Sequence, residues 1–131
     1  MKRKLLQECL AIAIKNNNPN HPEWDCYHHF SFFVQKNKIV AWGVNRRSSP
    51  LTLLGFESHT KMHSEVDACR KAKGIMDKGS DFEIVNVRLT KHNRIKTSYP
   101  CKCCSAFLEH LECKRIWFTT RIGNFAVLNF A

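Results

Sequence analysis

The chain has 131 residues, 44% of them hydrophobic and 24% charged, with a formal net charge of +10. That length suits a single domain, residues 1–131, with a real core, and the even spread of charge excludes a disordered chain. No apolar run reaches the roughly 18 residues of a membrane span, so no membrane partner is expected. The cationic surplus favours anionic partners such as nucleotides or nucleic acid.

Residues 2–16 place Leu5, Leu6, Cys9, Leu10, Ile12, Ala13 and Ile14 at helical spacing. The basic start and apolar centre mimic a secretion signal. Gln7 and Glu8 interrupt the apolar part and no small-residue cleavage site follows, so an amphipathic helix is expected instead. "NNNPNHP" ends it with turn formers. "YHHFSFFVQ" and "KIVAWGVN" read as two strands joined at Lys36-Asn37-Lys38. Residues 46–62 form a long loop with Pro50 and Gly55, and long loops in small domains are often functional.

A second helix starts near His63, with Val66, Ala68, Cys69, Ala72 and Ile75 inward and Gly79 near its end. "FEIVNVRLT" alternates as a third strand, and "KHNRIKTSY" is a basic turn region. "CCSAFLEHLEC" suits a third helix with Phe107, Leu108 and Leu111 inward, and "RIWFTT" and "FAVLNF" are two further strands. The order α-β-β-α-β-α-β-β predicts a layered α/β domain.

The seven cysteines are an odd number, so they cannot all pair within the chain. With no signal peptide, a reducing, cytoplasmic compartment is expected, and clustered thiols there point to metal. Cys101 and Cys104 form a CxxC after Pro100, and His63 heads the second helix. Thiolates and imidazole are the usual zinc donors, and a helix N-terminus favours the thiolate form. Three protein ligands leave a fourth position open, as in catalytic zinc sites. A structural site needs a fourth ligand, which His59, Cys69 or Cys103 could supply; a redox pair would follow a strand in a thioredoxin-like order, which is not seen. Cys9, Cys69 and Cys113 lie on apolar faces and read as core. Glu65, two places after His63, can sit beside a metal without binding it. His63-Ser64-Glu65 followed by Pro100-Cys101-Lys102-Cys103-Cys104 matches the H-x-E, P-C-x-x-C signature of zinc deaminases.

Over roughly residues 3–128 the chain resembles the cytidine deaminase-like superfamily, which includes deoxycytidylate, tRNA adenosine and AID/APOBEC-type deaminases. "VRLTKHNRIKTSYPCKCC" with "KRIWFTT" looks most like small phage and bacterial members. The resemblance implies a three-layer α/β/α fold with a five-stranded mixed sheet. It implies Zn²⁺ on His63, Cys101 and Cys104, with Glu65 carrying protons. "WGVNRR" resembles the family segment whose Asn contacts the nucleoside, here Asn45. Ser64 stands where the family more often has Ala; that position offers its backbone N–H near the base.

Tyr99, Phe118 and Phe125 are candidates to stack on a base, and Arg46, Arg47 and Arg121 to meet phosphates. The implied reaction is hydrolytic deamination of cytosine in a pyrimidine nucleotide or nucleoside, or in single-stranded nucleic acid. Deamination of adenine in a polynucleotide is the alternative. A zinc-stabilised nucleic-acid-binding module without catalysis is a third reading, which Glu65 argues against. The resemblance also admits a homo-oligomer, with residues 117–131 as a candidate contact.

Overall fold

Strand β3 (Glu83–Thr90) runs through the middle of the sheet. The computed structural model describes residues 1–18, 27–45 and 63–130. The expected loop over 46–62, with Arg46, Arg47 and His59, lies outside them, as does Cys26.

In chain order the elements are α1 (Arg3–Asn16), β1 (Tyr27–Gln35), β2 (Lys38–Val44), α2 (Ser64–Ala72), β3, β4 (Ile95–Lys96), α3 (Lys102–His110), β5 (Arg115–Thr119) and β6 (Phe125–Asn129). The sheet order is β2-β1-β3-β5-β6, with β4 added to β3. All pairs are antiparallel except β3–β5, whose parallel register is bridged by α3. Lys36 and Asn37 both take positive φ (51° and 59°), the two-residue hairpin turn that matches strand twist.

Alternation along the strands divides the core in two. Phe30, Phe32 and Val34 of β1 join Val85, Val87 and Leu89 of β3 under Leu5, Leu6, Cys9 and Ala13 of α1. Phe33, Ile84 and Ile116 face the other way, against Val66, Ala68 and Ala72 of α2 and Phe107 and Leu108 of α3. The result is a three-layer α/β/α mixed sheet of five main strands.

Three boundaries differ from expectation. The basic turn region contains β4, pairing Arg88 with Lys96 and Leu89 with Ile95, so the sheet gains a short sixth strand. Helix α2 ends at Ala72, well before Gly79, and Ile75 lies beyond it, 67% exposed. Helix α3 stops at His110 because Glu112 turns left-handed (φ 63°), although Cys113 is still buried.

Gly43 decides how close α2 comes to the sheet. A Cβ there would lie 2.4 Å from the Ala68 amide nitrogen and 2.8 Å from the Asp67 carbonyl carbon. Asp67 completes the junction: Val44 N–H donates to its Oδ2 (3.1 Å), and Arg70 and Lys71 pair with it from the same helix. Burial alone would raise this carboxyl, but those partners hold it below the usual carboxylate range. The start of α2 is thereby fixed over β2 and β1.

Candidate metal centre

Two helix starts meet on the α2/α3 face. His63 is the residue before α2, and Cys101 caps α3, its Sγ accepting from the Cys104 N–H (3.4 Å). His63 Nδ1 lies 3.2 Å from Cys104 Sγ and 3.6 Å from Cys101 Sγ. All three donor atoms fall within 4.8 Å of one another. Zinc bonds of about 2.3 Å to sulfur and 2.0 Å to nitrogen put tetrahedral donors about 3.5–3.8 Å apart, so the trio fits that ion. Hydrogen bonds from the Cys104 thiol and from His63 pull the Cys101 thiol down to about 3, while its thiolate and burial push Cys104 up. A metal ion here would bind both sulfurs as thiolates, since ligation requires the deprotonated form.

Neither Cys69 nor Cys103 joins this cluster among the described residues. Cys69 lies in the core between α2 and α3, its thiol pushed up by burial. Cys9 and Cys113 are likewise buried, each raised to about 12 by desolvation.

Glu65 is buried beside the trio without belonging to it, and burial raises its carboxyl above the ordinary value. Asn86 Nδ2 donates to Glu65 Oε2 (3.1 Å), and Ser31 Oγ donates to Asn86 Oδ1 (2.6 Å). Ser31 Oγ and Ser64 Oγ are 2.7 Å apart, and Ser64 Oγ is 3.2 Å from Glu65 Oε1. These four contacts close a ring. Asn86 and the two hydroxyls supply three protons to it, so each contact holds one only when Glu65 carries the fourth.

The sequence matches no family model and no curated protein. Among solved structures, the ligand-free dCMP deaminase of the cyanophage S-TIM5 aligns with a TM-score of 0.56 at 19% identity, covering 88% of this chain and 82% of that one. The same phage enzyme in complex with dCMP and dUMP aligns at 0.57 and 18% identity, covering 88% and 81%. This chain has the cytidine deaminase-like fold.

On that fold the remaining expected residues separate by face. Tyr99, 57% exposed, meets Phe118 edge-to-face with ring centroids 5.0 Å apart, two residues before Cys101. Phe125 packs with the α1-side core instead, since β6 alternation turns it away from the trio. Arg121 is exposed in the β5–β6 turn. Asn45 closes the β1–β2 ladder: its Oδ1 accepts from the His29 N–H (3.0 Å), and its own N–H donates to the His29 carbonyl (3.3 Å).

His29, Ser31, Asn86 and Ser98 are site neighbours that motif reading misses. Burial, and then the charges of Arg88 and His63, push His29 down to about 4, which makes it a neutral imidazole. Ser98 Oγ donates to the Asn86 carbonyl (2.8 Å) and accepts from the Thr119 N–H (2.7 Å), tying the segment before Cys101 to β3 and β5. The signal that could find Asn86 and Ser31 is a polar residue in phase with Ile84 and Phe33 on an apolar strand face.

Proposed function

We propose that the protein is a zinc-dependent hydrolytic deaminase that converts cytosine to uracil in a pyrimidine nucleotide. The observation that carries this reading is one imidazole nitrogen and two sulfurs within 4.8 Å of one another beside a buried carboxylate that stays out of the cluster. Such a carboxylate has no use in a purely structural site. The S-TIM5 enzyme, solved with dCMP and dUMP, supports the choice of substrate class.

His63, Cys101 and Cys104 are the residues that would hold Zn²⁺. The ion supplies Lewis acidity that brings the pKa of water near neutrality. Glu65 takes the proton of the attacking water and delivers it to the ring nitrogen next to C4. It then helps protonate the departing amine. The C4–N bond breaks, C4–O forms, one water is consumed and ammonia leaves. The elevated Glu65 carboxyl suits this work, because it must hold and return a proton near neutral pH.

Asn45 keeps Nδ2 for a sugar hydroxyl while its oxygen stays on His29. The Ser64 N–H, at the start of α2, would be a helix-end donor to the base. Tyr99 and Phe118 form the aromatic wall on which the pyrimidine would stack.

A second reading is single-stranded nucleic acid as the substrate. The net charge of +10 and exposed Lys91, Arg94 and Lys96 on the β3–β4 hairpin favour it. Turnover of a cytosine-bearing oligonucleotide would then fall steeply with salt. Conversion of dCMP with a flat salt profile decides for the free nucleotide.

A further inference from the structure

The ring around Glu65 has one member that also grips the metal loop. Asn86 sits mid-strand in β3, 3% exposed, on the face turned to α2 and α3. Ser31 Oγ donates to its Oδ1, so the amide has one orientation, with Nδ2 aimed at Glu65 Oε2 (3.1 Å) and at the Ser98 carbonyl (3.3 Å). Ser98 returns the grip through its hydroxyl on the Asn86 carbonyl, and Thr119 Oγ1 lies 2.8 Å from the same hydroxyl oxygen. Cys101 follows Ser98 by three residues in the same loop. One side chain thus spans from the carboxylate on α2 to the segment that delivers the thiolates to α3.

We propose that Asn86 is the positioning residue of this site: it fixes the carboxylate plane of Glu65 and sets its distance from the metal loop, with Ser31 holding Asn86 in the required orientation. The inference rests on the deaminase reading for its kinetic consequence and on geometry alone for the contact. Asn86 Nδ2 is the side-chain amide that donates to Glu65 Oε2. Without Asn86 the carboxylate loses its amide donor on Oε2, while the Ser64 hydroxyl stays on the other oxygen, and its last torsion is held less firmly. Misplacement by about 1 Å at a reacting centre costs about 100-fold in rate without a matching change in substrate affinity.

The experiment has two arms on the zinc-loaded protein. In the first, dCMP turnover is measured for wild type, Asn86→Asp and Ser31→Ala, together with zinc content. Asn86→Asp keeps the shape and removes the donor. The expected result is a kcat about 100-fold lower, with KM within about twofold and one zinc per chain retained. Ser31→Ala, a small change that leaves folding intact, lowers kcat about tenfold in the same pattern. Unchanged kcat, or a loss that merely follows lost zinc, overturns the proposal.

The second arm needs no turnover. Melting temperatures are compared for Asn86→Asp, Glu65→Gln and the double variant, which exchanges donor and acceptor across the contact. Asn86→Asp is expected to melt well below wild type, and Glu65→Gln to raise the melting temperature by clearly more in the Asn86→Asp background than in wild type. An equal change in both backgrounds would show that Asn86 does not hold Glu65. An inactive wild type with that unequal change would sink the deaminase reading and leave the contact established.

Discussion

Replacing Glu65 by Gln should abolish catalysis and stabilise the protein, with the gain growing as pH rises. Glu65 is buried, and its ring has four contacts but only three protons while the carboxylate is ionised. The Gln amide would supply the fourth proton to Ser64 Oγ and still accept from Asn86. Two thiolates cancel the charge of a bound zinc ion, so the metal offers the carboxylate little compensation. An unsatisfied buried contact costs about 1–3 kcal/mol, and a domain of this size moves by about 3–5 °C per kcal/mol.

The sign follows from burial. The folded-state carboxyl lies above its ordinary value of 4.5, so the folded protein binds this proton more tightly than the unfolded chain. Stability is therefore lost as pH rises from the unfolded value through the folded one. Melting temperatures of wild type and Glu65→Gln should nearly coincide near pH 4.5 and separate by about 3–15 °C at neutral pH and above. Turnover at neutral pH should fall by about 10²- to 10⁴-fold. A variant that melts below wild type at neutral pH, or a gap that does not vary with pH, would refute the ring argument.

Gly43→Ala should cost about 1–3 kcal/mol in urea unfolding, because its methyl would meet the α2 backbone at 2.4 Å; an unchanged midpoint would mean that α2 sits farther from β2. In metal-free protein, mass-mapped alkylation should label exposed Cys101 first and leave Cys9, Cys69 and Cys113 unlabelled until the chain unfolds. Zinc should then protect Cys101, and early labelling of Cys69 or Cys113 would contradict their place in the core. Tyr99→Ala, at an exposed position, should leave stability nearly unchanged and raise KM at least about fivefold, the low end of base–aromatic stacking; an unaltered KM removes Tyr99 from the pocket.

Much of this architecture is local and therefore legible. The β1 ends and the Lys36-Asn37 turn follow from alternation and turn chemistry, and α1 from its 3.6-residue spacing. Strand β4 was not legible, because two residues carry no period and its pairing depends on a turn with Asn93 at φ 62°. Ile75 reads as part of an inward helical stripe, yet the helix ends at Ala72 and leaves it in solvent. Phe125 looks like a site aromatic in sequence; only the register of β6 on β5 shows which face it takes.

The grouping of His63 with Cys101 and Cys104 was legible because each half carries its own local pattern, H-x-E and P-C-x-x-C, at a helix start. Asn86 was not, because its meaning arises from contacts with Ser31, Glu65 and Ser98, which are 55, 21 and 12 residues away. A buried Asn between Val85 and Val87 is conspicuous in a strand, but the sequence does not say what it holds.

The central claim is that His63, Cys101, Cys104 and Glu65 together form a deaminating centre. Its most direct test is a mass-spectrometric panel with zinc-loaded wild type and Glu65→Ala, offered cytidine, deoxycytidine, dCMP, dCTP, a cytosine-containing single-stranded DNA and an adenosine-bearing tRNA stem-loop. The account predicts a mass gain of about 1 Da on dCMP, from exchange of an amino group for oxygen, that disappears in the variant although zinc stays bound. No conversion of any cytosine substrate by zinc-loaded wild type, or equal conversion by Glu65→Ala, would contradict it.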